Sequence, residues 1–255
     1  MGIKIVLLAR NCDSTTIMYN YLIQHIDLDA VIMEKPLSKT KHLSKRIKRL
    51  GFWYAMGQAA FMIFAYPLLK LTSKKRIQEI IEKYHLDLRG IPINNYQEVK
   101  SLNNENSRKI LKELDPDLII VNGTGIISKK TLECVAAPFI NIHVGITPLF
   151  RGVHGGYWAV ASNRKDLFGV TIHYVDPGVD TGGIIEQVFI TPSPKDNFYT
   201  YPYIEYAEVL PALKKVVESF NAGIKPESKA PVTNESKLRV HPTLFQYLKN
   251  MKRTF

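Results

Sequence analysis

Cysteine is scarce: the 255-residue chain holds two, Cys12 and Cys134, far apart and outside any C-x-x-C. That excludes a disulfide scaffold and a structural zinc site of thiolates, and it suits a reducing compartment. No metal-ligand set is expected elsewhere. The glycine-rich G-x-G-x-x-G turn is also missing after the first apolar run, where the sequence reads ARNCDSTT, and there is no P-loop. Dinucleotide and P-loop nucleotide sites are therefore disfavoured. The leading MGIKIVLLAR has too short an apolar run and no charged lead-in for a secretory signal. It is expected to form a first strand of a cytoplasmic protein. Repeats and low-complexity tracts are absent too.

Acidic residues are missing from one stretch. Between Lys35 and Arg76 there are eleven Lys and Arg and no Asp or Glu, which equals the whole net charge of +11. The rest of the chain is balanced, so the pattern is a basic insert in a neutral body rather than a generic polycation. A specific nucleic-acid partner is not expected, because aromatics are not interleaved with these charges. The charges bracket an apolar run, residues 50–71, whose length approaches the roughly 20 residues of a spanning helix. Strand candidates on both sides argue against a crossing, since they could not then share one sheet. The leading expectation is a helix packed on the body or on a second subunit in a homodimer. The second is peripheral contact with the inner face of an anionic membrane.

With 45% hydrophobic residues the chain can bury a core, and strand-like and helical segments alternate along it. Strands are predicted at 3–9, 28–33, 89–94, 117–123, 139–144, 168–175 and 183–190. Helices are predicted at 14–25 (capped by Asp13 or Ser14), 50–71, 74–85, 104–114, 153–163, 199–222 and 242–252. Such alternation calls for an α/β fold: a Rossmann-like, mainly parallel sheet with helices on both faces. Residues 1–190 are assigned to a catalytic domain carrying the insert 35–76, and 191–255 to a C-terminal extension packing on it. Open sheets of this kind bind ligands beyond the carboxyl ends of their strands.

Reactive side chains cluster at those ends. Strand FINIHV offers Asn141 and His143, two residues apart and so on one face. The turn VDPGVDTGG supplies Asp176 and Asp180 between two apolar strands, and VNGTG closes another strand with small residues. An amide donor, an imidazole and a carboxylate suit transfer of an acyl group to an amine without a covalent intermediate. The donors stabilise charge growing on the carbonyl oxygen, and the carboxylate holds the imidazole protonated or takes the amine's proton. Cys134 reads as core. His173 either orients the Asp180 turn or joins the site. Arg151 and His154 are candidates for an anionic acceptor. His25, His42, His85 and His241 read as surface residues.

N-x-H, P-x-x-R-G and D-x-G-G-I-I in this order resemble the folate-dependent formyltransferase family, which includes glycinamide ribonucleotide, methionyl-tRNA and amino-sugar N-formyltransferases. The resemblance is strongest from Asp117 to Gln187. It implies the formyltransferase fold, with Asn141, His143 and Asp180 as catalytic residues. It also implies 10-formyltetrahydrofolate as donor, its pteridine against Thr124, Gly125 and Ile127 and against the turn bearing Val175, Asp176 and Val179. The family's H-x-S-L-L-P is here His143-Val144-Gly145-Ile146-Thr147-Pro148, and the phosphate turn of the glycinamide enzymes is replaced by Arg10–Ser14. A nucleotide-linked amino sugar is the expected acceptor, with Phe198–Tyr203 as stacking faces or as packing for the long helix. The chain's length argues against the tRNA enzyme, and a catalytic sheet expected to start at Ile3 argues against a formyltetrahydrofolate hydrolase with a leading regulatory domain. An inactive folate-binding scaffold is the alternative outside enzymes.

Overall fold

The computed structural model describes residues 2–36, 39–251 and 253, with backbone alone for 39–42. The first strand, β1 (Ile5–Ala9), is apolar and β-branched along its whole length, as a strand buried on both faces must be. It leads to helix α1 (Asp13–His25), strand β2 (Ala30–Glu34) and the helices of the insert, α2 (Lys39–Leu50), α3 (Phe52–Ala60) and α4 (Tyr66–Thr72). A π turn over Phe61–Ala65 joins α3 to α4 into one rod from Phe52 to Thr72. Then come α5 (Lys74–Tyr84), β3 (Gln97–Val99), α6 (Glu105–Leu114), β4 (Leu118–Asn122), α7 (Lys129–Leu132) and β5 (Phe139–His143). A short β6 (Arg151–Gly152) precedes α8 (Gly155–Ala161), β7 (Gly169–Tyr174), β8 (Ile184–Phe189), α9 (Tyr201–Asn221), β9 (Leu238–Arg239) and α10 (Leu244–Asn250).

Seven strands form one sheet in the order β3-β2-β1-β4-β5-β7-β8. Only β7 runs against the others, pairing antiparallel with both β5 and β8. The order turns at β1, where β2 lies on one side and β4 on the other, so a crevice opens beyond their carboxyl ends. Alternation along the strands divides the core. Leu7, Ile120, Ile140 and Ile172 pack under α1, α5 and α9, while Val6, Leu8, Ile119 and Phe139 pack under α6. A third cluster joins α8, the α3–α4 rod and α10 through Phe61, Tyr157, Phe198 and Tyr247.

Four expectations are corrected. The strand placed at 89–94 is irregular with a 3-10 turn at Ile93–Asn95, and the sheet is joined instead by Gln97–Val99. Pro92 offers no ladder donor, and the Asn20 amide already serves the carbonyls of Asp87 and Arg89 at 3.0 and 2.8 Å. Cys12, whose backbone is extended, is the N-cap residue of α1 rather than Asp13 or Ser14; Asp13 lies inside the first turn, where its carboxylate accepts from the Tyr203 hydroxyl. The rod is not buried all round: most of its apolar side chains are exposed on one face. The basic segment before it folds into a helix of its own, α2, that was not foreseen. The predicted helix at 242–252 ends within the described residues at Asn250; Lys252 and the His42 side chain lie outside them.

A membrane crossing is incompatible with this sheet. Strands β2 before the rod and β3 after it are hydrogen-bonded neighbours.

Candidate active site

The register of the sheet assembles the site. Asn141 sits opposite His173, and His143 opposite Thr171, across the β5–β7 pairing. Directly opposed residues point to one face, so Asn141, His143 and His173 converge over the carboxyl end of the sheet. The Asn141 Nδ2 is 3.1 Å from His173 Nε2, and His173 Nδ1 is 2.7 Å from the Tyr174 carbonyl. A carbonyl can only accept, so Nδ1 carries the proton and Nε2 accepts from Asn141. The second amide proton of Asn141 remains for a ligand.

The turn after β7 delivers Asp180 in a left-handed backbone conformation, φ 49°. Its Oδ2 accepts from the Gly152 N–H at 2.7 Å and lies 3.4 Å from His143 Nδ1, while Oδ1 lies 3.6 Å from His173 Nε2. Burial opposes the ionised form, yet the Gly152 N–H and the charge that His173 and His143 gain on protonation in acid prevail and hold the carboxyl down at about 2. His143 is buried, and the same desolvation pushes its imidazole below the ordinary 6.5, with Asp180 pulling partly the other way. Its Nε2 donates to the Phe150 carbonyl at 2.6 Å. The neutral ring therefore presents an unprotonated Nδ1 to an ionised carboxylate.

That differs from the expected imidazolium donating to a carbonyl oxygen. Gly145 makes the arrangement sterically feasible, because a Cβ there would lie 2.7 Å from the Phe150 oxygen and 2.9 Å from His143 Nε2.

These groups line a cleft of about 620 Å³, a size ordinary for small-molecule sites. Thr124, Gly125, Ile127, Val175, Asp176 and Val179 line it as well. The 123–128 loop is tightly held. Glu34 accepts from Gly125 N–H at 3.1 Å, from Leu102 N–H at 3.2 Å and from Arg10 at 2.5 Å, and Asn103 bonds Ile126 and Ser128. Among the described residues the peptide N–H groups of Thr124 and Ile127 have no protein partner, so this wall can meet the polar edge of a flat ligand. Asp176 spends Oδ1 on Gly178 N–H and the Thr181 hydroxyl, which shapes the turn.

Two expected acceptor contacts do not fit. Arg151 donates to the Val179 carbonyl at 3.0 Å and so braces the Asp180 turn, and His154 bonds the Tyr201 hydroxyl at 3.0 Å. Burial drives the His154 imidazole well below 6.5, which leaves it neutral and unsuited to an anion. Their neighbours Gly152 and Val153 line the cleft in their place.

Sequence reasoning missed other walls. Arg10 follows β1; Lys45, Arg46 and Arg49 arrive on α2; Arg239 and His241 return from the C-terminal tail through the β6–β9 pairing. Signals existed for the basic residues, whose clustering was evident, but not for where α2 would fold. His241, read as a surface residue, is instead packed edge-on to Phe61 and His154 and lowered to about 4 by burial.

The sequence profile of the family described as "Formyl transferase" matches residues 65–201, a little over half of the chain. A methionyl-tRNA formyltransferase of Clostridioides difficile is 41% identical over 97 residues, covering 38% of this chain and 30% of that protein. The match thus spans under a third of that relative's length. Among solved structures, a sugar N-formyltransferase from Shewanella has TM-score 0.59 at 12% identity, covering 98% of this chain and 87% of that one. A phosphoribosylglycinamide formyltransferase from Streptococcus pneumoniae has TM-score 0.52 at 21% identity, covering 86% and 98%. Both structural likenesses support the fold alone.

Proposed function

The chain belongs to the formyl transferase family, and from that premise we propose that it moves a formyl group from 10-formyltetrahydrofolate to a primary amine. The acceptor is a small phosphate-bearing molecule, in first place a nucleotide-linked amino sugar. The observation that carries this reading is the convergence of Asn141, His143 and Asp180 at one end of a single cleft, the last two 3.4 Å apart.

The wall formed by Thr124, Gly125 and Ile127 and by the Val175–Val179 turn suits the donor's pteridine, since the peptide N–H groups of Thr124 and Ile127 have no protein partner among the described residues. Bound there, the donor supplies an electrophilic formyl carbon. Asn141 donates its spare amide proton to the formyl oxygen as negative charge grows on it. His143 Nδ1 receives the proton that the amine loses as its nitrogen bonds the formyl carbon, and returns it to the departing donor nitrogen as the formyl–donor carbon–nitrogen bond breaks and tetrahydrofolate leaves. Asp180, already ionised, stabilises the imidazolium, while Phe150 holds the ring in place through Nε2. His173 orients Asn141 and is a positioning residue. Lys45, Arg46 and Arg49 give the cleft a cationic lip that suits the acceptor's phosphates, while Arg10 beside them is paired with Glu34.

The same lip favours a second reading, a methionyl-tRNA acceptor, in line with the name of the Clostridioides difficile relative. Incubation with 10-formyltetrahydrofolate and separate nucleotide-linked amino sugars, glycinamide ribonucleotide or methionyl-tRNA distinguishes these. Tetrahydrofolate is expected only when an amino sugar is present. Steady release without any amine would indicate a hydrolase, and no release with any acceptor would overturn the transferase reading.

A further inference from the structure

The α3–α4 rod has two unlike faces. Its inner face is locked to the body: Phe61 is fully buried edge-on between Phe198 and Tyr247, and Gln58 donates to the His241 carbonyl. The far end is tied where Asn197 donates to the Ser73 hydroxyl and Arg76 meets Asp196 at 2.8 Å. Tyr54 donates to Gln246 at 3.0 Å near the first end, so the rod is held along its inner face with its outer face turned away from the body. That outer face is apolar throughout its length, about 31 Å at 1.5 Å per residue. Trp53 is 83% exposed, Phe64 66%, Ile63 65% and Leu68 60%, with Phe52 and Leu71 beside them. So large a contiguous apolar strip marks a docking surface.

Charge identifies the occupant. Exposed Lys48 and Arg49 precede Phe52 at one end of the strip, and Lys70, Lys74 and Lys75 stand at the other. Among the described residues, none of these five has a carboxylate within 4 Å. A second copy docking about a two-fold axis through this strip would bring like-charged ends together, at a cost that grows as water is excluded. An anionic bilayer matches both features at once: the aromatic pair Phe52 and Trp53 suits the headgroup level, and the cations suit acidic headgroups.

We propose that the outer face of the α3–α4 rod, with its basic ends, docks the protein on an anionic lipid surface. Docking also sets the position of the cleft. Gly51 alone separates Leu50, which lines the cleft, from Phe52 on the docking face, and Lys45, Arg46 and Arg49 of α2 share that rim. The cleft therefore opens beside the bilayer. If the proposed formyl transfer holds, the acceptor reached there is an amine carried on a phosphate-bearing lipid; the docking itself does not depend on that reading.

The test is sedimentation of the full chain with phosphatidylglycerol–phosphatidylcholine vesicles, with phosphatidylcholine vesicles as control. At low salt the protein should pellet with the anionic vesicles only, and high salt should release it. Ile63→Glu with Phe64→Glu should reduce binding at least tenfold at unchanged circular dichroism. Each of Lys70→Gln and Lys74→Gln should weaken it about fivefold. Trp53 emission should shift to the blue on binding. Protein left in the supernatant at low salt would overturn the proposal, as would equal binding by the glutamate variant. A dimer in scattering that the glutamate variant dissolves, without vesicle binding, would assign the face to a second copy instead.

Discussion

The strand-end cluster and the insert treat their charges in opposite ways. Around Asp180 the polar groups hold one another: Gly152 N–H donates to one carboxylate oxygen, the His143 and His173 rings lie 3.4 and 3.6 Å from the carboxylate, and each ring is fixed in turn, one by the Phe150 carbonyl and the other by Asn141 and the Tyr174 carbonyl. At the ends of the rod, Lys48, Arg49, Lys70, Lys74 and Lys75 stand beside large exposed apolar side chains and, among the described residues, have no carboxylate within 4 Å. Buried polar groups cost 1–3 kcal/mol each when unsatisfied, so a site must be closed to be stable, whereas solvent tolerates an open surface. One region is organised for chemistry within the protein; the other is complete only when something covers it.

The contrast can be broken most severely at Asp180. Asp180→Asn still offers an oxygen to Gly152 N–H but cannot stabilise an imidazolium. Turnover should fall about 10³-fold or more with the fold intact, read from kcat and circular dichroism. Asn141→Ala removes one oxyanion donor and should lower kcat about 10²–10³-fold. Retention of activity by either variant would separate the cluster from the chemistry.

The pH dependence sharpens the roles. Neutral His143 takes the amine's proton, and burial holds its pKa below 6.5, so kcat should be level above that region and fall as acid protonates the ring. Asp180, near 2, stays ionised throughout and adds no limb in this range. A rate that instead declined as pH rose past 6.5 would show that imidazolium is the working form.

Smaller effects are expected where the two regions meet. Arg46→Ala with Arg49→Ala should raise KM for a phosphate-bearing acceptor about tenfold and leave kcat nearly unchanged, since uniform binding is lost without transition-state contacts. The least is expected on the outer face: Phe64→Glu should change turnover of a water-soluble acceptor by less than about twofold. A large loss there would tie the insert to the chemistry itself.

Much of the fold was legible because its strands are apolar and β-branched while its helices carry periodic polar faces. The order of β–α segments and the antiparallel β7–β8 pair followed from that. The 89–94 segment was misread because its apolar residues imitate a strand, while Pro92 and the Asn20 bonds decide otherwise. Asn141, His143 and Asp180 were singled out by N-x-H, P-x-x-R-G and D-x-G-G-I-I occurring together in that order, since neither the two-residue spacing nor the turn is specific by itself. Arg151 and His154 misled because sequence gives a side chain's type but not its partner, and both are committed to neighbours within the protein. His241 gave no signal at all; the β6–β9 pairing, with Trp158 and Gln58 holding the carbonyls of Val240 and His241, carries it to the cleft from far along the chain.

Sequence alone determined that Asn141 and His143 share one face of a strand end, since alternation along a strand is a local property of the backbone. The protonation of His143, the bracing role of Arg151 and the arrival of α2 at the cleft were decided by tertiary structure. Burial, desolvation and distance between remote segments exist only once the chain has closed on itself, and those quantities assign a charged side chain to chemistry, to support or to an outside surface.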